Sequence, residues 1–327
     1  MNYRSIAGLN KDIVGWLPRL PRDVDLVVGI PRSGLLAANI LALHLNLPLT
    51  DPVGLLEGKV FDAGHRYRLS RGDTAQPSPR FERQLNILVI DDSVCTGTQL
   101  ERVRQQIAAA EVAHNIRYAA VYVVPGAENK VDFYCGVLPM PRCFEWNIMH
   151  HAIVMSNSCI DIDGVLCRDP TDDENDDGAC YERFLGTAEA LLVPTVSVGW
   201  LVTCRLEKYR ELTEHWLAQH GVKYRSLIMM DLPDKESRVR SKSHVAFKTG
   251  VYRKTGAELF IESSLGQAVE IARLAGKNVL CIETREMVTP TGWVKGYQAM
   301  KGIRSIVRRK VTAGLRRIAG LVGGRYA

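Results

Sequence analysis

LVIDDSVCTGTQL, residues 88–100, is the stretch from which this chain can be read. Ile87 to Asp91 is apolar on both faces up to the acid, the pattern of a strand buried in a parallel sheet. Asp91 and Asp92 then fall at its carboxyl end, where open α/β sheets place ligands. Ser93 to Thr98 is a turn of small residues, and a helix is expected from Gln99 to about Ala110. Backbone N–H groups in such a turn, backed by a helix N-terminus, form a socket for a phosphate dianion. Two carboxylates beside that socket call for a ligand with vicinal hydroxyls at its other end. A ribose 5-phosphate has both.

Working upstream, Asp25 to Ile30 reads as a second buried strand, and Pro31-Arg32-Ser33-Gly34 opens an amphipathic helix. Strand, glycine-bearing turn and helix make a second anion-binding corner, with Gly34 permitting close backbone approach. A short helix is expected over residues 10–20. The connection from Glu57 to Asn86 is basic and too long for a plain linker; a solvated β-hairpin is its simplest reading. Downstream, residues 117–124 and 131–135 read as strands, and PRCFEWNIMHH occupies residues 141–151.

VIDDSVCTGTQL resembles the signature of type I phosphoribosyltransferases, which bind 5-phosphoribosyl-1-diphosphate (PRPP). The bland alternative is a Rossmann-like strand with two N-capping acids. The resemblance implies that Asp91 and Asp92 hold the ribose hydroxyls, and that Ser93, Thr96, Gly97 and Thr98 hold the 5-phosphate. Arg32, Ser33 and Gly34 would bind the diphosphate. The long loop would be a lid, its Lys59, Arg66, Arg68 and Arg71 neutralising the leaving group while the closed site excludes water. Residues 141–151 would be the acceptor hood. There Phe144 and Trp146 would contact the acceptor or merely seal a seam, and His150 and His151 would assist proton removal.

The second half opens on Cys159-Ile160-Asp161-Ile162-Asp163-Gly164. Two carboxylates two apart at a strand end point the same way and can share a magnesium ion with a phosphate. This resembles the first motif of haloacid-dehalogenase-like (HAD) phosphatases. That resemblance implies that Asp161 attacks phosphorus, while Asp163 protonates the leaving alkoxide and later activates water. Thr203 would donate to the phosphate, Lys248 (with Lys254 as runner-up) would offset charge, and Glu262 would join Asp161 and Asp163 on Mg²⁺. Glu262-Ser263-Ser264 departs from the usual acid pair. An EF-hand reading of the ENDDG run lacks the helix–loop–helix frame. The acidic loop around it is expected to be solvated. About 36 residues separate Leu166 from Thr203, and about 44 separate Thr203 from Lys248. Neither gap has room for a large cap domain.

Charge is divided unevenly. Nine basic residues and no acid follow Glu286, leaving residues 1–286 with 33 basic and 36 acidic groups. The eight cysteines show no Cys-x-x-Cys or Cys/His zinc spacing. With no signal-peptide core, a reduced cytoplasmic setting is expected. Residues 295–327 carry Ile303, Ile306, Val307, Val311, Leu315, Ile318 and Val322 near one helix face among Arg and Lys. This is an interfacial pattern suited to the inner membrane face. Nucleic acid is not expected as a partner.

The expected fold class is α/β, with two Rossmann-like parallel-sheet domains in tandem and a basic amphipathic C-terminal helix. The boundaries are 1–150 for a phosphoribosyltransferase domain, 151–292 for a HAD-like domain and 293–327 for the tail. The pairing resembles the PRPP-dependent ribofuranosyl transferase and phosphatase modules of bacterial capsule and O-polysaccharide assembly. It implies transfer of 5-phosphoribose from PRPP to a glycan or sugar acceptor, then removal of the 5-phosphate, with Mg²⁺ as cofactor. Two alternatives stay open. One is a nucleobase or orotate phosphoribosyltransferase with a housekeeping phosphatase; the other is a non-catalytic PRPP sensor.

Overall fold

The computed structural model describes residues 1–61, 83–241 and 243–291. It divides into two units, Met1–Trp146 and Asn147–Ala327. Arg66, Arg68, Arg71 and the basic tail lie outside the described residues.

In the first unit, β1 (Asn2–Arg4), α1 (Ile6–Trp16), β2 (Leu26–Gly29), α2 (Gly34–Leu45), β3 (Leu49–Thr50) and α3 (Pro52–Leu56) precede β4 (Asn86–Val94). Then come α4 (Thr98–Ala109), β5 (Asn115–Val123), β6 (Phe133–Val137) and β7 (Arg142–Phe144). Five strands form an all-parallel sheet in the order β3-β2-β4-β5-β6. Alternation along β4 divides its side chains between two cores. Leu88 and Ile90 pack with α1, α2 and Phe144, while Ile87 and Val89 pack with α4. The order runs outward from β2 to β3, then returns to β4 and proceeds the other way. The β2/β4 boundary is therefore the switch point at which such sheets bind ligands.

Three boundaries differ from the sequence reading. Strand β4 runs through both acids to Val94, because pairing with β5 continues at Ser93–Tyr122 and Val94–Val123. The turn shrinks accordingly to Cys95–Gly97. Helix α1 begins at Ile6 rather than near residue 10, since Ser5 Oγ accepts the Gly8 N–H at 3.1 Å and caps it. Its buried face is Leu9, Ile13 and Trp16, at helical spacing. Strand β6 lies two residues beyond its expected span.

The second unit contains α5 (Ala152–Ser156), β8 (Ser158–Ile160), α6 (Ala179–Thr187), β9 (Val198–Leu206), α7 (Arg210–Gln219) and β10 (Tyr224–Met230). After these follow α8 (Lys235–Ser241), α9 (His244–Lys254), β11 (Leu259–Glu262), α10 (Leu265–Ala275), β12 (Val279–Cys281) and β13 (Glu286–Val288). The sheet order is β10-β9-β8-β11-β12-β13, parallel except for β13. Here the switch point lies between β8 and β11.

The acidic loop is more than a solvated run. Arg168 grips Glu174 through two bonds of 2.6 Å, and Asp176 accepts the N–H groups of Gly178, Cys180 and Tyr181 at the start of α6. Asp177 accepts from Lys208, the Tyr209 hydroxyl and Lys235 N. Neighbouring cations and backbone donors thus hold the loop in one fold. Among the described residues, no helix is long and apolar enough to cross a membrane.

Candidate active site

The first switch point brings together both anion-binding corners expected from sequence. Arg32 and Ser33 follow β2, and α2 starts at Gly34 directly against β4. A Cβ on Gly34 would fall 2.8 Å from Asp91 Oδ1 and 3.0 Å from the Ile90 carbonyl oxygen. Only glycine lets the two corners approach this closely. The Pro31–Arg32 peptide is cis.

Within the first unit, helix capping sets this edge apart. Helices α1 and α3 are capped by the side chains of Ser5 and Asp51. Helices α2 and α4, which open on either side of Asp91 and Asp92, have no side-chain cap. An uncapped N-terminus keeps its first N–H groups for an anion, although at α4 the Thr98 N–H makes a long bond of 3.4 Å to Thr96 Oγ1. At α4 the N-cap is Gly97, with φ of 78°, a backbone that favours glycine. Thr96 and Thr98 share a hydroxyl contact of 2.9 Å beside it. A cleft of about 660 Å³ opens here, lined by Thr96, Gly97, Thr98, Glu101 and Lys130 among others. Sequence reasoning missed Lys130, 34 residues downstream, whose ammonium donates to the Thr96 carbonyl at 2.7 Å. No motif marks it; only the return of the chain after β5 carries it to the turn.

Asp91 and Asp92 are both buried. Burial pushes the Asp91 carboxyl up to about 8, with Asp92 adding to the effect and Arg142 opposing it. Arg142, on β7, is itself buried, and its Nη1 has no hydrogen-bond partner among the described residues. Burial lowers the Arg142 guanidinium, against the pull of Cys95, Asp92 and Asp91. Asp92 shares the sheet face of Leu88 and Ile90 and accepts the Trp146 indole N–H at 2.8 Å. Trp146 stacks on Phe144 at 4.7 Å, and Phe144 on Tyr122 at 5.8 Å. Of the other expected residues, Lys59 pairs with Glu57 at 2.7 Å. His150 and His151 fall in the second unit, where His151 caps α5 and His150 meets Thr195 Oγ1 at 2.9 Å.

The second switch point gathers Asp161, just past β8, and Glu262, at the end of β11. Lys248 from α9 lies between them, its ammonium 2.7 Å from each carboxylate and 3.2 Å from Gln267 Oε1. Lys254, by contrast, ends α9 without reaching this cluster. Burial pushes the Asp161 carboxyl up, opposed by Lys248 and aided by Glu262 and Asp163. For Lys248, burial works to lower the pKa, but Asp161 and Glu262 outweigh it and hold the ammonium above its usual range.

Asp163 is held by a residue the sequence reading passed over. The fully buried Arg205 reaches it through Nη2 at 2.7 Å and Nε at 3.2 Å. Thr203 does not end its strand, as expected, because β9 continues to Leu206. Its hydroxyl accepts the Arg205 N–H at 3.2 Å. Ser263, in place of a second acid, packs on Gly164, and its hydroxyl lies 3.2 Å from Glu262 Oε1.

Among the described residues, no three His, Cys, Asp or Glu side chains are grouped so as to hold a metal ion. At the second site the reason is visible. Lys248 stands where Asp161 and Glu262 converge, and Arg205 engages Asp163. The expected Asp161–Asp163–Glu262 magnesium set does not fit this arrangement.

Residues 3–152 match the phosphoribosyl transferase domain family. No curated protein matches the chain. Among solved structures, the xanthine-guanine-hypoxanthine phosphoribosyltransferase of Helicobacter pylori is 17% identical. That match covers 45% of this chain and 93% of the other, with a TM-score of 0.33. A purine phosphoribosyltransferase from Pyrococcus horikoshii is 19% identical, covering 44% and 92%, with a TM-score of 0.32. The adenine phosphoribosyltransferase of Leishmania tarentolae is 14% identical, covering 41% and 71%, with a TM-score of 0.27.

Proposed function

We propose that this chain, whose residues 3–152 match the phosphoribosyl transferase domain family, moves 5-phosphoribose from PRPP onto a sugar hydroxyl of a glycan acceptor and then removes the 5-phosphate. The observation that carries the first half is the β2/β4 edge. There, two helix N-termini without side-chain caps flank a buried carboxylate pair.

In this reading the α4 turn and Lys130 receive the 5-phosphate, and Asp91 and Asp92 accept the ribose hydroxyls. The α2 turn and Arg32 receive the diphosphate as the C1–O bond breaks. Donors aimed at the departing oxygens stabilise charge where it develops. The acceptor hydroxyl oxygen then bonds to C1 from the opposite face, and its proton is released to water as diphosphate departs. Magnesium, when bound, would neutralise the diphosphate beside an acid pair short of positive charge.

For the second half, Asp161 is the nucleophile toward phosphorus and Lys248 offsets the added charge. The guanidinium of Arg205 orients Asp163. As the P–O bond to the sugar breaks, Asp163 gives its proton to the departing alkoxide, and it takes a proton back from the water that hydrolyses the aspartyl phosphate. The support is the meeting of Asp161, Lys248 and Glu262 at the β8/β11 switch point.

A second reading has its own observation. Trp146, the partly exposed end of the Tyr122–Phe144–Trp146 stack, is an aromatic ring beside Asp92 suited to stacking with a planar ring, which favours a nucleobase acceptor. Incubation with PRPP, Mg²⁺ and separate panels of glycans and nucleobases, followed by mass spectrometry, decides between them. A phosphoribosyl adduct on a glycan, converted to a ribosyl adduct by the wild type but not by D161N, is the expected result. Adducts on nucleobases alone would replace the glycan reading.

A further inference from the structure

We infer that Trp146 is a positioning residue for Asp92: its indole N–H fixes the carboxylate that takes the sugar, and so ties strand β7 to the donor site. The inference rests on the PRPP reading of the first unit. It starts from one bond, Trp146 Nε1 to Asp92 Oδ2 at 2.8 Å. An indole N–H is a donor only, so it holds Oδ2 as an acceptor and sets the orientation of the carboxylate.

The donor is itself braced. Trp146 lies nearly parallel to Phe144, at 12°, and Phe144 lies at 15° to Tyr122. The Tyr122 hydroxyl donates to Asp12 Oδ2 at 2.7 Å, and Asp12 also pairs with Arg4 at 3.4 Å. A row of contacts thus runs from α1 through three rings to the sugar-binding acid. A carboxylate with no such donor turns about its Cβ–Cγ bond, and that freedom is lost when a ligand binds. Fixing it beforehand removes part of the ordering cost. An acceptor that shifted the ring row would be felt at Asp92, which would couple acceptor to donor without direct contact between them.

The test is a double-mutant cycle on the full chain, with PRPP affinity read by calorimetry in the presence of Mg²⁺. W146F keeps a ring in the stack but removes the N–H together with the five-membered ring that carries it, and the cycle with D92A separates the loss of the bond from the loss of packing. The substitution is expected to weaken PRPP binding about tenfold, the scale of a hydrogen bond to a charged group. D92A is expected to weaken it more, and W146F added to D92A is expected to cost nothing further. Wild-type affinity in W146F, tighter binding, or the same loss in both backgrounds would overturn the inference, since a ring that merely packs acts independently of Asp92. If W146F fails to fold, Y122F loosens the brace while leaving the indole intact. A two- to threefold loss that vanishes in D92A supports the inference, and no loss overturns it. A wild-type protein that does not bind PRPP sinks the reading and the inference together. Binding by wild type with W146F unchanged sinks the inference alone.

Discussion

The two acid clusters of this chain are placed alike and balanced differently. Each sits at the switch point of a parallel sheet, Asp91 and Asp92 at the β2/β4 edge and Asp161, Asp163 and Glu262 at the β8/β11 edge. In the second cluster, Lys248 and Arg205 meet all three carboxylates directly. In the first, Asp92 has an uncharged indole, and the cation opposing the rise at Asp91 is Arg142. Position in a fold therefore does not fix the state of a carboxylate. Burial raises the leading acid at both sites; what differs is the bonding, since each carboxylate of the second cluster meets a cation directly, whereas Asp92 of the first is held by an uncharged indole.

The largest test of that contrast removes the cation between two buried acids. K248M leaves Asp161 and Glu262 facing each other without compensation, and should cost the second unit about 3–5 kcal/mol in denaturant unfolding. A cost near zero would mean that the cluster is not balanced by Lys248. R205M should cost less, roughly 1–3 kcal/mol, because the Asp163 side chain is 20% exposed and can rehydrate. An equal or greater loss would assign Arg205 the larger share.

At the first site the sign reverses, because there the group removed is a buried acid rather than the cation that balances one. The Asp91 carboxyl is raised in the folded protein from 3.8 to about 8. The folded state therefore holds a proton that the unfolded chain releases, and stability falls as pH rises through that window. D91N abolishes the loss. Its melting temperature should match the wild type below about pH 4 and exceed it increasingly toward about pH 8, by about 2–4 °C for each kcal/mol. A constant difference across pH would break the contrast. The smallest effect concerns the capping difference. S5A should cost about 1 kcal/mol by removing a cap, whereas S33A, at a helix start with no side-chain cap, should cost little. Equal costs would remove the distinction between α1 and α2.

Much of the first site was legible because its residues are local. Asp91, Asp92, Thr96, Gly97 and Thr98 lie within one strand–turn–helix, as do Arg32, Ser33 and Gly34, and apolar runs mark the strands before them. What was missed is non-local. Lys130, Arg142 and Arg205 carry no motif, and each reaches its acid or turn only after intervening elements have folded. Trp146 stood in the sequence as an acceptor contact or a seam. That it donates to Asp92 depends on a stack whose members come from β5 and the β7 segment. In the second unit, Asp161, Lys248 and Glu262 were named in advance, but not the engagement of all three acids by two cations.

The sequence by itself determined the strand–turn–helix corners, their order and the residues placed at them, because hydrophobic period and small-residue turns act over a few residues. Only the tertiary structure decided which acids meet a cation, which turn gains Lys130 and which helix starts remain without a side-chain cap. Charge and hydrogen bonding act through distances in space, and those distances exist only once strands far apart in the chain lie side by side.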